Sequence, residues 1–205
     1  MSRTGRPRAF NRDEAISAAM HLFWEHGYES TSLAQLRTAM GNISAASFYA
    51  AFDSKEALFR EVIDQYISSY GQVSKSFLDT SITSKAAIEQ GLRRSAKMQT
   101  EGSHPLGCLL VLSATTCSPE QNHIREMLAK EREKIRSWMK SCIERAVTND
   151  ELPVSTDIDM LVALFETFLH GISTQARDNV PYEIIDAAIT QLMSVWDVLS
   201  STQTR

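Results

Sequence analysis

The chain has 205 residues, 43% of them hydrophobic, with 21 Lys and Arg against 25 Asp and Glu for a net charge of −4. That hydrophobic share excludes a disordered tail protein, and the mild acidity excludes a chain that coats nucleic acid along its whole length. No segment supplies the roughly 18 consecutive apolar residues that a membrane helix needs.

Charge is nonetheless unevenly placed along the chain. Before the first acid, Asp13, the leader MSRTGRPRAFNR carries Arg3, Arg6, Arg8 and Arg12, which puts any contact with a polyanion at the front. The leader also lacks the apolar core of a signal peptide, so a cytoplasmic protein is expected.

From Asp13 to His26 the residues Ala15, Ile16, Ala19, Met20, Leu22 and Phe23 recur at helical steps. Asn11 is placed to cap this helix, with Glu14 completing a capping box, and Gly27 to end it. Ser30-Thr31-Ser32 then precedes a short helix through Leu33, Leu36 and Ala39, closed at Met40-Gly41. After the connection Asn42-Ile43-Ser44, the stretch Ala45 to Phe52 gives about two helical turns with Phe48 and Phe52 facing inward. Asp53-Ser54 breaks the chain and caps the next element. From Ser54 to about Phe77 the spacing predicts one long connecting helix.

Further helices are expected near Lys85 to Thr100, Gly107 to Thr116 and Pro119 to Val147, with a turn-rich stretch at Glu101 to Pro105. Asn149 to Pro153 ends the long charged helix, and two strongly apolar helices follow, at about Asp157 to Gln175 and Tyr182 to Ser200. No alternating pattern predicts strands. The fold class is therefore all-α: a three-helix helix-turn-helix domain over residues 1–54 and a helical domain over 55–205.

Two short helices joined by a tight turn and braced by a longer one have the order of a helix-turn-helix, whose second helix enters the major groove of double-stranded DNA. Ala45, Ala46, Ser47, Ala50 and Ala51 are small enough for close approach to base edges, whereas Tyr49 and Lys55 suit phosphate oxygens. Thr31 and Ser32 are placed to meet phosphate at a helix start. The alternative is a plain helical hairpin, with Tyr49 packed and Lys55 solvated.

Residues 10–60, with LFWEHGYESTS, the turn and then SFYAAFDSKEALF in order, resemble the DNA-binding domain of the TetR family of transcriptional regulators. The turn Gly41-Asn42-Ile43-Ser44 is one residue longer than the family's commonest form. The resemblance implies that Ser44 caps a recognition helix from Ala45 to Ala51 and that Tyr49 and Lys55 touch phosphates. The Gly5-Arg6-Pro7-Arg8 arm resembles the family's basic leader, which implies that Arg6 and Arg8 reach the minor groove.

Beyond about residue 70 the resemblance fades and the residues themselves carry the reading. The last two helices have wider apolar faces than one small domain buries, which suits a homodimer built as a four-helix bundle. A family-like pocket for a small hydrophobic or aromatic effector would draw on Met98, Leu106, Cys108, Leu109, Leu112, Met127, Trp138, Phe165, Phe168 and His170, although the same residues describe an ordinary helical core. Cys108, Cys117 and Cys142 read as buried thiols, with redox sensing by Cys108 and Cys117 as a variant. Neither a nucleophile with its base nor a phosphate loop is recognisable, so no enzyme activity, cofactor or metal is expected. The expectation is a DNA-binding repressor released from a palindromic operator by its effector; a helical protein-interaction scaffold is the alternative from another class.

Overall fold

The computed structural model describes residues 11–201, and among them every regular element is helical. The front module comprises α1 (Arg12–His26), α2 (Leu33–Ala39) and α3 (Ala45–Phe52). Each start is fixed by a side-chain acceptor: Asn11 accepts from the amides of Asp13 and Glu14, Ser32 from Gln35, and Ser44 from Ser47. At Ser32 the box is reciprocal, since the Gln35 side chain accepts from the Ser32 amide at 2.8 Å. Arg6 and Arg8, expected in the minor groove, lie outside the described residues.

The chain then enters α4 (Lys55–Ser68), capped by Ser54. This helix does not run on to Phe77 as its apolar spacing suggests; it stops at Ser69 and continues as a 3-10 helix over Tyr70–Leu78. Local polar side chains account for the break. The Gln65 carbonyl, which keeps the Ser69 amide at 3.1 Å, also accepts the Ser68 and Ser69 hydroxyls at 3.0 and 2.7 Å, and Gln72 donates its side chain to Ile67 O at 2.7 Å, a carbonyl that a further α-turn would have used.

The remainder comprises α5 (Ser84–Thr100), α6 (Leu109–Thr115), α7 (Asn122–Thr148), α8 (Ile158–Arg177) and α9 (Tyr182–Ser201). A short 3-10 turn, Pro119–Gln121, precedes α7, so the helix begins three residues later than Pro119 suggests. No helix among the described residues is long and apolar enough to cross a membrane.

Two cores organise these helices. In the first, Phe23, Tyr28 and Phe59 form an aromatic cluster, with Phe59 4.9 Å from both other rings, and Phe48 and Phe52 of α3 are buried beside α4. This core continues through Leu109 and Leu110 to Ile124 and Leu128 of α7, so α1 and α4 pack into the helical body. The second core joins α5, α7, α8 and α9 through residues such as Leu92, Ile143, Phe165, Ile189 and Trp196. Arg93 of α5 strengthens that union, pairing with Glu89 at 2.8 Å and Asp186 of α9 and donating to Thr190 at 2.9 Å.

Polar contacts also tie the front module to the body. The Trp24 indole donates to Gly107 O at 3.0 Å, and Arg177 of α8 donates to the carbonyls of Trp24 and Glu25 at 3.1 and 3.0 Å. Glu29 accepts from the Ser118 amide at 2.7 Å. Between them lies Gly27, at φ +80°, where an added Cβ would stand 2.5 Å from Thr116 Oγ1, so the turn after α1 needs glycine on both conformational and steric grounds.

Candidate nucleic-acid interface and effector cavity

The amphipathic split of α3 follows from its residue order. Phe48 and Phe52, four apart, are fully buried, which turns Ala45, Ala46, Ser47, Tyr49 and Ala50 outward and leaves all five exposed. Ala51 is half-buried. The Tyr49 ring is 50% exposed and meets Phe48 edge-on at 5.5 Å, which holds its hydroxyl at the surface. Ser44 and Ser47 share a hydrogen bond of 2.9 Å between their hydroxyls at the capped end of the helix.

The turn before α3 carries two successive left-handed residues, Gly41 at φ +92° and Asn42 at +59°. Arg37 braces it, donating Nε to Ile43 O at 2.9 Å. Nothing in the spacing of α2 distinguishes Arg37 from a solvated surface arginine.

Three basic or polar residues expected near DNA sit differently from one another. Ser32 is exposed at the start of α2. Lys55 is half-buried, with Nζ 4.4 Å over the Tyr28 ring and 3.4 Å from the Glu29 carbonyl, and burial lowers its pKa. Thr31 corrects the sequence expectation: it is 0% exposed, and its hydroxyl donates to Gly27 O at 2.7 Å and approaches Leu22 O at 3.3 Å. That hydroxyl is committed to the turn after α1 and has no face toward a phosphate. Arg12 is also engaged internally, paired with Glu61 and 4.9 Å from the Phe52 ring.

In the body, the residues expected to line a single pocket are divided. Met98 and Cys108 border a narrow inner cavity between α4, the following 3-10 helix, α5, α6, α7 and α8. Trp138 borders a neighbouring, more open pocket, and Phe168 a third on the α8–α9 face. Leu109 and Phe165 are 0% exposed and belong to the two cores. Met127 packs on the first core, and Leu112 lies beside Gly107, the residue its side chain would crowd if a Cβ were added. Helical spacing reports an inward face, but it does not say whether another helix fills the space in front of it.

The inner cavity has a polar side that apolar periodicity does not reveal. Gln99 donates to Ser95 Oγ and accepts from Ser173 Oγ, both at 2.8 Å. The Tyr66 hydroxyl donates to Cys108 Sγ at 3.3 Å, and burial pushes both the phenol and the thiol above their ordinary pKa values. Arg132 donates to Leu110 O at 2.6 Å, and burial lowers its pKa. His170, likewise lowered by burial, stands 3.8 Å from Glu166, whose other oxygen accepts from Arg136 at 2.8 Å. Cys117 is also raised by burial. Among the described residues no group of three or more His, Cys, Asp or Glu side chains is arranged to hold a metal ion.

Residues 15–62 match the family model for bacterial regulatory proteins of the tetR family, and residues 85–192 match the tetracyclin repressor-like C-terminal domain. The chain is 31% identical to the HTH-type transcriptional repressor ComR of Escherichia coli over 196 residues, covering 95% of this chain and 93% of that protein. It is 29% identical to the repressor BdcR of the same organism over 120 residues, 58% of this chain and 60% of that one. A solved structure of the TetR family transcriptional regulator CifR, a cysteine mutant complexed with 26-base-pair operator DNA, superposes with a TM-score of 0.86 at 38% identity, covering 93% of this chain and 100% of that one.

Proposed function

The chain belongs to the TetR family of transcriptional regulators, and from that premise we propose that it is a homodimeric repressor, bound to a palindromic operator and released by a small effector held in the helical body. The observation that carries the reading is the outward face of α3, where Ala45, Ala46, Ser47 and Ala50 leave the helix backbone close to whatever lies against it. Ala45, Ala46 and Ala50 meet base edges and thymine methyls, Ser47 bonds a base or a phosphate, and Tyr49 takes a phosphate oxygen. Lys55 does the same on leaving the Tyr28 ring, and Ser32 and Ser44, the caps of α2 and α3, add phosphate contacts at the helix starts. Arg6 and Arg8 reach the adjacent minor groove.

Dimerisation is supported by apolar surface on the last two helices: Met160, Ile184 and Val198 are 46%, 61% and 64% exposed. A second copy packed there would cover it and set two recognition helices for two half-sites. The inner cavity supports the effector reading, because it touches α4, which leads back to α3, and Cys108 just before α6, which packs on α1. Effector binding then shifts the population between spacings of the two recognition helices. Redox sensing through Cys108 and Cys117 has less support, since burial raises both thiols and makes the reactive thiolate scarce.

Selection of bound duplexes from a random library, followed by titration of salt, tests the proposal. A palindrome bound with steeply salt-dependent affinity upholds it; no enrichment above background refutes it and leaves the scaffold reading.

A further inference from the structure

The inner cavity is bordered by one guanidinium and by no carboxylate. Arg132 faces it, gives one hydrogen bond to the Leu110 carbonyl, and has no acidic side chain within ion-pair distance among the described residues. The nearest acid, Glu166, is hydrogen-bonded to Arg136 at 2.8 Å and reaches Arg132 only by a longer-range attraction that partly offsets its burial. A half-buried guanidinium with donors to spare is a costly arrangement unless an anion completes it. The surrounding side chains suit an anion with an apolar body. Ser95, Gln99 and Ser173 present a short chain of hydrogen-bonding groups, while Val111, Ile135 and Leu169 supply apolar wall.

A second pocket adjoins this one. The neighbouring cavity shares Gly71, Leu110 and Ile135 with the inner one and is rimmed by Lys75, Lys134 and Trp138. Glu131 on that rim is paired with Lys134 at 2.8 Å, so Lys75 leaves the entrance cationic on balance. An aromatic or aliphatic body fits the lining of Trp138, Ile67 and Ile135.

We propose that the effector is a small organic anion, a carboxylate on an apolar or aromatic body, which enters past Lys75 and Lys134 and pairs with Arg132. This rests on the reading of the inner cavity as the effector site. A cationic ligand meets the guanidinium as a like charge, and a neutral one offers it only an uncharged acceptor like the Leu110 carbonyl; an anion supplies the stronger, charge-assisted pair.

The test uses the full chain with phenylacetate, 3-phenylpropanoate and 4-phenylbutyrate, each against its own primary amide. Binding is read by tryptophan fluorescence and thermal shift, and release by displacement from the selected operator. At least one acid is expected to bind about ten-fold or more tightly than its amide and to release operator. That preference is lost in Arg132→Gln and largely kept in Arg132→Lys. Should Arg132→Gln fail to fold, as a circular dichroism melt would reveal, the acid–amide comparison in the wild type and Arg132→Lys decides. Amides that bind as well as the acids and release operator overturn the anion assignment while leaving the effector reading intact. Acids that bind with the Arg132-dependent preference but leave operator bound uphold the anion site and remove its role as effector site. If no acid or amide binds, both readings fall.

Discussion

Thr31→Val separates a residue that builds the helix-turn-helix from one that touches DNA. The two side chains are nearly the same shape, so the substitution removes a hydroxyl without opening a cavity. In the fold that hydroxyl is fully buried and bonded to Gly27 O at 2.7 Å, and Gly27 is itself buried in the turn after α1. Leaving a buried carbonyl unpaired costs about 1–3 kcal/mol, of which the more favourable burial of the Val methyl returns a part, so a net loss of about 1–2 kcal/mol is expected. For a chain of this length that lowers Tm by roughly 2–8 °C. Urea denaturation at fixed protein concentration measures the first quantity and calorimetry the second. Operator affinity, measured well below Tm, should stay within about two-fold of wild type, because the hydroxyl has no face toward a phosphate. Unchanged stability together with an affinity loss of about ten-fold would refute the reasoning and restore Thr31 as a DNA contact.

Other perturbations test other parts of the structure. Tyr49→Ala should weaken binding to every duplex by a similar factor, whereas Ala46→Ser should change which sequences a random library returns; equal behaviour of the two would remove the division into phosphate and base contacts. Gly91→Ala would bring a Cβ to 2.2 Å from the Phe77 ring, and because that ring is 1% exposed and closely held, a loss of about 1–3 kcal/mol in urea unfolding is expected despite alanine's better helix propensity. His170 has a pKa below its ordinary value of 6.5, chiefly from burial, so the unfolded chain takes up its proton first. Its contribution is therefore whole above about pH 6.5 and is lost as pH falls through the folded pKa, and His170→Asn should flatten the urea midpoint over that interval relative to wild type.

How much of this is legible in the sequence depends on the kind of signal. Helix starts are, because a capping side chain and the amide it serves lie within three residues: Asn11, Ser32, Ser44 and Ser54 all cap as their positions suggest. The outward face of α3 is also legible, since Phe48 and Phe52 fix its orientation. The end of α4 is not, because the apolar spacing continues through Ile67 and Tyr70 while the Ser68 and Ser69 hydroxyls cap the Gln65 carbonyl and the Gln72 side chain takes the Ile67 carbonyl. Thr31 misleads for a related reason: a hydroxyl beside a helix start looks the same in sequence whether it faces solvent or the preceding turn. The cavity residues are divided because their grouping depends on crossings between α5, α7 and α8, distant in sequence. Arg132 is invisible in that sense, one charge among many in the run from Lys130 to Arg136, and only the third dimension distinguishes it from its solvated neighbours.

The way α1 ends has a practical meaning for anyone recombining such proteins. Its last carbonyls are met by Arg177, more than 150 positions downstream, and its indole by the carbonyl of Gly107. A chimera that grafts residues 1–54 onto another regulator's body would therefore carry a helix whose terminus expects a guanidinium and a carbonyl at two particular points in the recipient. Recipients that supply both should accept the graft with their own signalling intact, while those that do not would need Arg177 and the segment around Gly107 transplanted with it. The seam for exchanging specificities runs along this joint in space and cannot be cut at one place in the sequence.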